Sequence, residues 1–239
     1  MTHIKNIEAF TKLIGFCNGY GTLYNPGSPN LRMDALLIHL NKTQEAIEQV
    51  RIVKNNLDNL VNHRKQAFND LPALISSILR TLEASGAKPE KLKNARMFVH
   101  QLIGSSPRNR APIPSGNDSK PEVQHAKLQL AFVSRVDAFS MLVKAVSSEP
   151  LYQWNERDFN PTELEEKIHA LNNLNKDVED ARALWRKALI ERNEVMYNKE
   201  VSMTKTAWAV KKYVRAIFGL HSEHYILLKR LVFTMPTKH

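Results

Sequence analysis

The feature that most constrains this chain is a long run of heptad spacing. Leu36, Leu40, Thr43, Ile47, Val50, Lys54, Leu57, Val61, Arg64 and Phe68 alternate steps of four and three residues. That pattern is the a/d seam of a left-handed helical pair. A helix of about 38 residues carrying it would be about 57 Å long. Period-2 runs of β-branched residues and Asn-Gly or Asp-Gly hairpin turns are nearly absent, so strands are not expected.

Helical spacing continues on both sides of the seam. Ile4, Ile7, Phe10, Ile14 and Cys17 predict a leading amphipathic helix, ended by Asn18-Gly19-Tyr20-Gly21. Pro29 suits the first turn of the long helix, with Ser28 as its N-cap. Leu71, Leu74, Ile75, Ile78, Leu79 and Leu82 predict a third helix stopped at Gly86, and a short fourth starts near Pro89. Residues 104–121 carry four prolines and no apolar period, which reads as a flexible linker. Beyond it, Leu128 to Val146 predicts a fifth helix, ended by Pro150 and the aromatic loop Tyr152-Gln153-Trp154. Leu164, Ile168, Leu171, Leu174, Val178, Ala181, Trp185, Ala188 and Val195 predict a second long helix, opened by Phe159-Asn160-Pro161. Val210, Tyr213, Val214, Ile217 and Phe218 predict a seventh, stopped at Gly219, and Tyr225–Phe233 a last amphipathic segment.

This order of elements occurs twice. Tyr24-Asn25-Pro26 pairs with Phe159-Asn160-Pro161, Leu40-Asn41-Lys42 with Leu174-Asn175-Lys176, and Gly86 with Gly219. The expected fold is all-α: an elongated bundle with long antiparallel coiled-coil-like helices in two similar halves. The first half is 1–103, the linker 104–121, and the second half, a duplication of the first, 122–239. With Asn62-His63-Arg64, Glu149-Pro150-Leu151-Tyr152 and the closing run Ala207–Val214 followed by Ile217-Phe218-Gly219, the pattern resembles a family of uncharacterised, internally duplicated all-helical proteins of Bacteroidetes-type bacteria. That resemblance implies the duplicated helical fold and no activity.

The chain's 34 basic and 24 acidic residues give a net charge of +10 and a pI near 9.7. Anionic partners, nucleic acid or an acidic surface, are therefore plausible. A single cysteine, Cys17, excludes an intrachain disulfide and favours a reducing compartment. Without an apolar run of signal-peptide or membrane-span length, the expectation is a cytoplasmic protein.

No catalytic signature is present: no Gly-x-Ser-x-Gly, no phosphate-cradling glycine loop, no His-Glu-x-x-His. The expectation is a non-enzymatic protein without cofactor or small-molecule substrate. Two Glu-x-x-His pairs, Glu122/His125 and Glu166/His169, have the spacing used in di-iron bundles. The helical wheel, however, turns Glu166 and His169 away from the apolar face. His221-x-x-His224 is a lone pair in a turn, and Cys17 lies on an apolar stripe as a structural thiol. Arg64 and Arg192 each fall on the seam of a long helix, where a guanidinium needs a partner. They read as structural ion pairs or helix caps, or else as two related anion sites. Lys205, Lys211, Lys212 and Arg215 lie opposite the Val210/Val214/Ile217 stripe with Trp208 at their edge, a pattern able to grip phosphates and stack bases. The leading reading is a helical interaction or scaffold protein that binds a protein partner or itself through its seams. Nucleic-acid binding is the alternative, and membrane activity the weakest reading.

Overall fold

The computed structural model describes residues 2–103, 121–152 and 159–235, with side chains over 2–102, 131–152 and 159–235. Those residues form α1 (Thr2–Gly19), α2 (Met33–Asn69), α3 (Leu71–Ala84), α4 (Pro89–Ile103), α5 (Pro121–Ser147), α6 (Pro161–Tyr197), α7 (Met203–Phe218) and α8 (Glu223–Lys229). Among the described residues there is no strand, and no helix is long and apolar enough to cross a membrane. The fold is all-helical.

Most apolar positions marked by the sequence periodicity are buried or half-buried, although Ile4 of the expected α1 stripe is 49% exposed. Every seam position of α2, from Leu36 to Phe68, is buried or half-buried. Helix α3 closes Leu71, Ile75, Ile78 and Leu82 from solvent, a stripe at i, i+4, i+7 and i+11. Gly86 and Gly219 follow α3 and α7 with φ of 76° and 88°, a backbone conformation that favours glycine after a helix.

Three local expectations change. Pro29 does not start α2: it opens a separate 3₁₀ turn, Pro29–Leu31, and the extended Arg32 breaks the path before Met33. Ile217 is 47% exposed; the buried stripe of α7 is Met203, Ala207, Val210 and Val214. The last helix stops at Lys229, and residues 231–235 run without helix. There Phe233 is buried, and the backbone of Thr234 is held by the side chain of Asn6. The linker residues 104–120, with Gln153 and Trp154, lie outside the described residues.

The chain packs as two compact units that cut across the consecutive segments 1–103 and 122–239. Unit 1 comprises Met1–Asn56 and Arg182–His239, and unit 2 comprises Leu57–Ala181. Helices α2 and α6 therefore each contribute to both. The core of unit 1 joins Phe10, Leu13 and Cys17 of α1 with Leu36 of α2, Met196 of α6 and Val210 and Val214 of α7. The core of unit 2 joins Phe68 of α2, Ile75 and Ile78 of α3, Ala95 of α4, Phe139 and Leu142 of α5 and Leu164 of α6.

Candidate functional site

Helix α7 is capped by Ser202, whose side chain accepts from the Lys205 amide at 3.3 Å. Its 16 residues contain no carboxylate. Burial of Met203, Ala207, Val210 and Val214 turns Lys205, Trp208, Lys212 and Arg215 outward, and all four are exposed. Their spacing of i, i+3, i+7 and i+10 places them on one face. Trp208, 43% exposed, sits among these cations.

Lys211 departs from that expected group. Its Nζ donates to the Leu231 carbonyl, and it lies 5.3 Å from the Phe233 ring centroid. Burial lowers its pKa. Lys211 anchors the segment after α8 instead of joining the outer face. The Lys205 ammonium donates to the Lys199 carbonyl while its stem remains on that face.

The seam arginines differ from each other. Arg64 is 3% exposed, with its guanidinium carbon 4.2 Å from the Phe132 centroid and Nη1 donating to Asn175 Oδ1 at 3.5 Å. Protein groups already surround it, so an anion would have to displace them. Arg192 is half-buried, and its Nε and Nη2 donate to Asn193 Oδ1 at 3.2 and 2.8 Å. Burial lowers its pKa.

Near Arg192 lies a polar cluster with no periodic signal in the sequence. His3 Nδ1 is 2.8 Å from the Tyr197 hydroxyl, which also accepts from Asn6 Nδ2 at 3.1 Å. Burial and then the Arg192 charge hold His3 below its usual pKa, and burial raises that of Tyr197. The partners lie at opposite ends of the chain, so only the folded unit brings them together.

Elsewhere the candidate chemistry is absorbed by packing. Cys17 is buried, and burial pushes its thiol up to about 12. Glu166 and His169 are exposed, as the wheel predicts; the side chains of Glu122 and His125 lie outside the described residues. His224 stacks on Phe218 at 4.5 Å and meets Tyr20 edge-on at 4.9 Å. Among the described residues no group of three or more His, Cys, Asp or Glu could hold a metal ion. A groove of about 480 Å³ between α1 and α2 is lined by Ile4, Ile7, Ile47, Glu8, Glu45, Glu48 and Arg51. Another, of about 690 Å³, runs between α3 and α6 past Asp70, Leu74 and Glu163.

Compared with known proteins, the chain matches no family model, no curated protein and no solved structure.

Proposed function

We propose that the protein is a non-enzymatic helical interaction protein that receives an anionic partner on the outer face of α7. One observation carries this reading: Lys205, Trp208, Lys212 and Arg215 share an exposed face of a helix without a single carboxylate. An acidic protein segment would meet the cations as counter-charges, with Trp208 supplying the apolar contact. A second reading, nucleic acid, is favoured by the same Trp208, because an exposed indole among cations offers a stacking surface beside phosphate contacts.

Size exclusion with light scattering at low and high salt, recording 260 and 280 nm absorbance, separates the two. Nucleic acid that co-elutes at low salt and is stripped at high salt supports the second reading. A clean protein peak, with an acidic peptide bound by the parent chain and lost in Lys212→Glu/Arg215→Glu, supports the first. Unchanged binding of both probes in that variant overturns both.

We also read the chain as duplicated, in a register that follows packing more closely than the Asn-Pro motif. Ala9, Phe10, Leu13, Ile14 and Cys17 of α1 correspond to Ala138, Phe139, Leu142, Val143 and Val146 of α5, and all are buried. Helices α2 and α6 have 37 residues each and place Leu36 with Leu164, Arg64 with Arg192 and Phe68 with Met196. Leu71, Ile75, Ile78 and Leu82 correspond to Met203, Ala207, Val210 and Val214. In the loops, Tyr24 donates its hydroxyl to the Leu31 carbonyl at 2.6 Å, and Tyr152 donates to Phe159 at 3.4 Å. Tyr152, not Phe159, is thus the counterpart of Tyr24. We read the long helices as antiparallel, and one contact in each unit suits that reading. Lys54 Nζ lies 5.6 Å from the Trp185 centroid in unit 1, and Arg64 reaches Asn175 in unit 2.

A further inference from the structure

Neither compact unit is made from one repeat. Unit 1 takes α1 and the opening of α2 from the first repeat, and the end of α6, α7 and α8 from the second. Unit 2 takes α5 and the opening of α6 from the second repeat, and the end of α2, α3 and α4 from the first. The contacts correspond as well. Tyr20 near the end of α1 donates to the His224 carbonyl in α8 at 2.8 Å, and Lys91 in α4 donates to Ser148 just after α5 at 2.8 Å. In both units the fourth helix starts beside the end of the leading helix.

We infer that this chain joins, in one polypeptide, a pair of modules that complete each other by exchange, and that the partner its cores accept is a second copy of itself. The inference rests on the duplication read above. Residues 2–56 of one copy would seat on residues 182–235 of another, Phe10, Leu13 and Cys17 meeting Val210 and Val214 as they do within one chain. No new core contact is needed, because the exchanged segments bring the same side chains; this is the condition under which domain swapping is a low-cost route to a dimer. The unit boundary falls between Asn56 and Leu57, inside the continuous helix α2. The other boundary, Ala181/Arg182, falls inside the equally continuous α6, so exchange requires one of the two helices to open at its boundary.

The test is refolding of the full chain from denaturant at micromolar and at near-millimolar concentration, followed by light scattering and hydrogen exchange. Exchange between copies predicts a dimer that forms only at high concentration, persists for hours after dilution, and protects α1 and α7 as the monomer does. A monomer at both concentrations, or a dimer that dissociates at once on dilution, overturns it. The same exchange measurement on Phe10→Leu and Phe139→Leu tests the duplication separately. Phe10→Leu should expose α7 and leave α3 protected, and Phe139→Leu should do the reverse. A mirrored response without a lasting dimer overturns exchange between copies alone; an unmirrored response overturns the duplication. Leucine is chosen so that the variants keep an apolar side chain at both sites.

Discussion

Asn6 and Thr234 grip each other in both directions: Asn6 Nδ2 donates to the Thr234 carbonyl at 2.8 Å, and the Thr234 amide donates to Asn6 Oδ1 at 3.0 Å. The side-chain amide thereby does for the segment after α8 what a neighbouring strand would do. Asn6 has no solvent exposure, so among the described residues its two polar ends are satisfied by this clasp, by the Thr234 hydroxyl at 3.5 Å and by Tyr197.

Asn6→Ala is therefore expected to lower stability by about 2–3 kcal/mol, through a lost buried side chain and lost hydrogen bonds. Urea denaturation reads the stability. Limited proteolysis should show cleavage near Phe233 before global unfolding.

Arg64 contributes through contact with the Phe132 ring and Asn175, not through solvent-facing charge. Arg64→Ala should destabilise by about 2–4 kcal/mol, leaving a cavity and the Asn175 carboxamide short of a donor. The half-buried Arg192, changed to Ala, should cost less than about 1 kcal/mol. Paired thermal melts test the order, and equal losses would contradict it.

His3 makes stability pH-dependent. Its pKa in the folded protein lies below the ordinary value, through burial first and Arg192 second. The unfolded chain therefore takes up the proton more readily, so this contribution is complete above about pH 6.5 and is lost as pH falls from there through the folded pKa. His3→Gln should flatten the dependence of the urea midpoint between about pH 6.5 and pH 5.

In the proposed repeat register Cys17 corresponds to Val146, and both side chains are buried. Cys17→Val is expected to change stability by less than about 1.5 kcal/mol, as a swap of two small buried apolar groups. In the parent chain, alkylation of Cys17 should follow global unfolding, because burial holds the thiol up near 12.

Much of the fold is legible in the sequence, because a helix must repeat its buried side every three or four residues. The seam from Leu36 to Phe68, the α3 stripe and the stops at Gly86 and Gly219 all follow from that rule. The basic face of α7 follows too, except for Lys211, whose orientation is decided by a carbonyl 20 residues away. Ile217 was expected in the buried stripe of α7 because its spacing suits a helix, yet its side is left uncovered. Periodicity places a residue on its own helix and says nothing about which other segment arrives. For that reason the meeting of His3, Asn6 and Tyr197 has no local signature. The hydroxyl bonds of Tyr24 to Leu31 and of Tyr152 to Phe159 likewise have no local signature, because they exist only in the fold.

The interleaving of the two units also sets an order of events during synthesis. Unit 2 is continuous from Leu57 to Ala181 and has all its parts once that stretch has left the ribosome. Unit 1 draws Phe10, Leu13, Cys17 and Leu36 from before that stretch and Val210, Val214 and Phe233 from after it. Throughout that interval Phe10, Leu13, Cys17 and Leu36 await their partners with apolar surface uncovered. A segment made before the middle of the chain is thus completed only after it, so unit 2 has the means to close while α1 still lacks its cover.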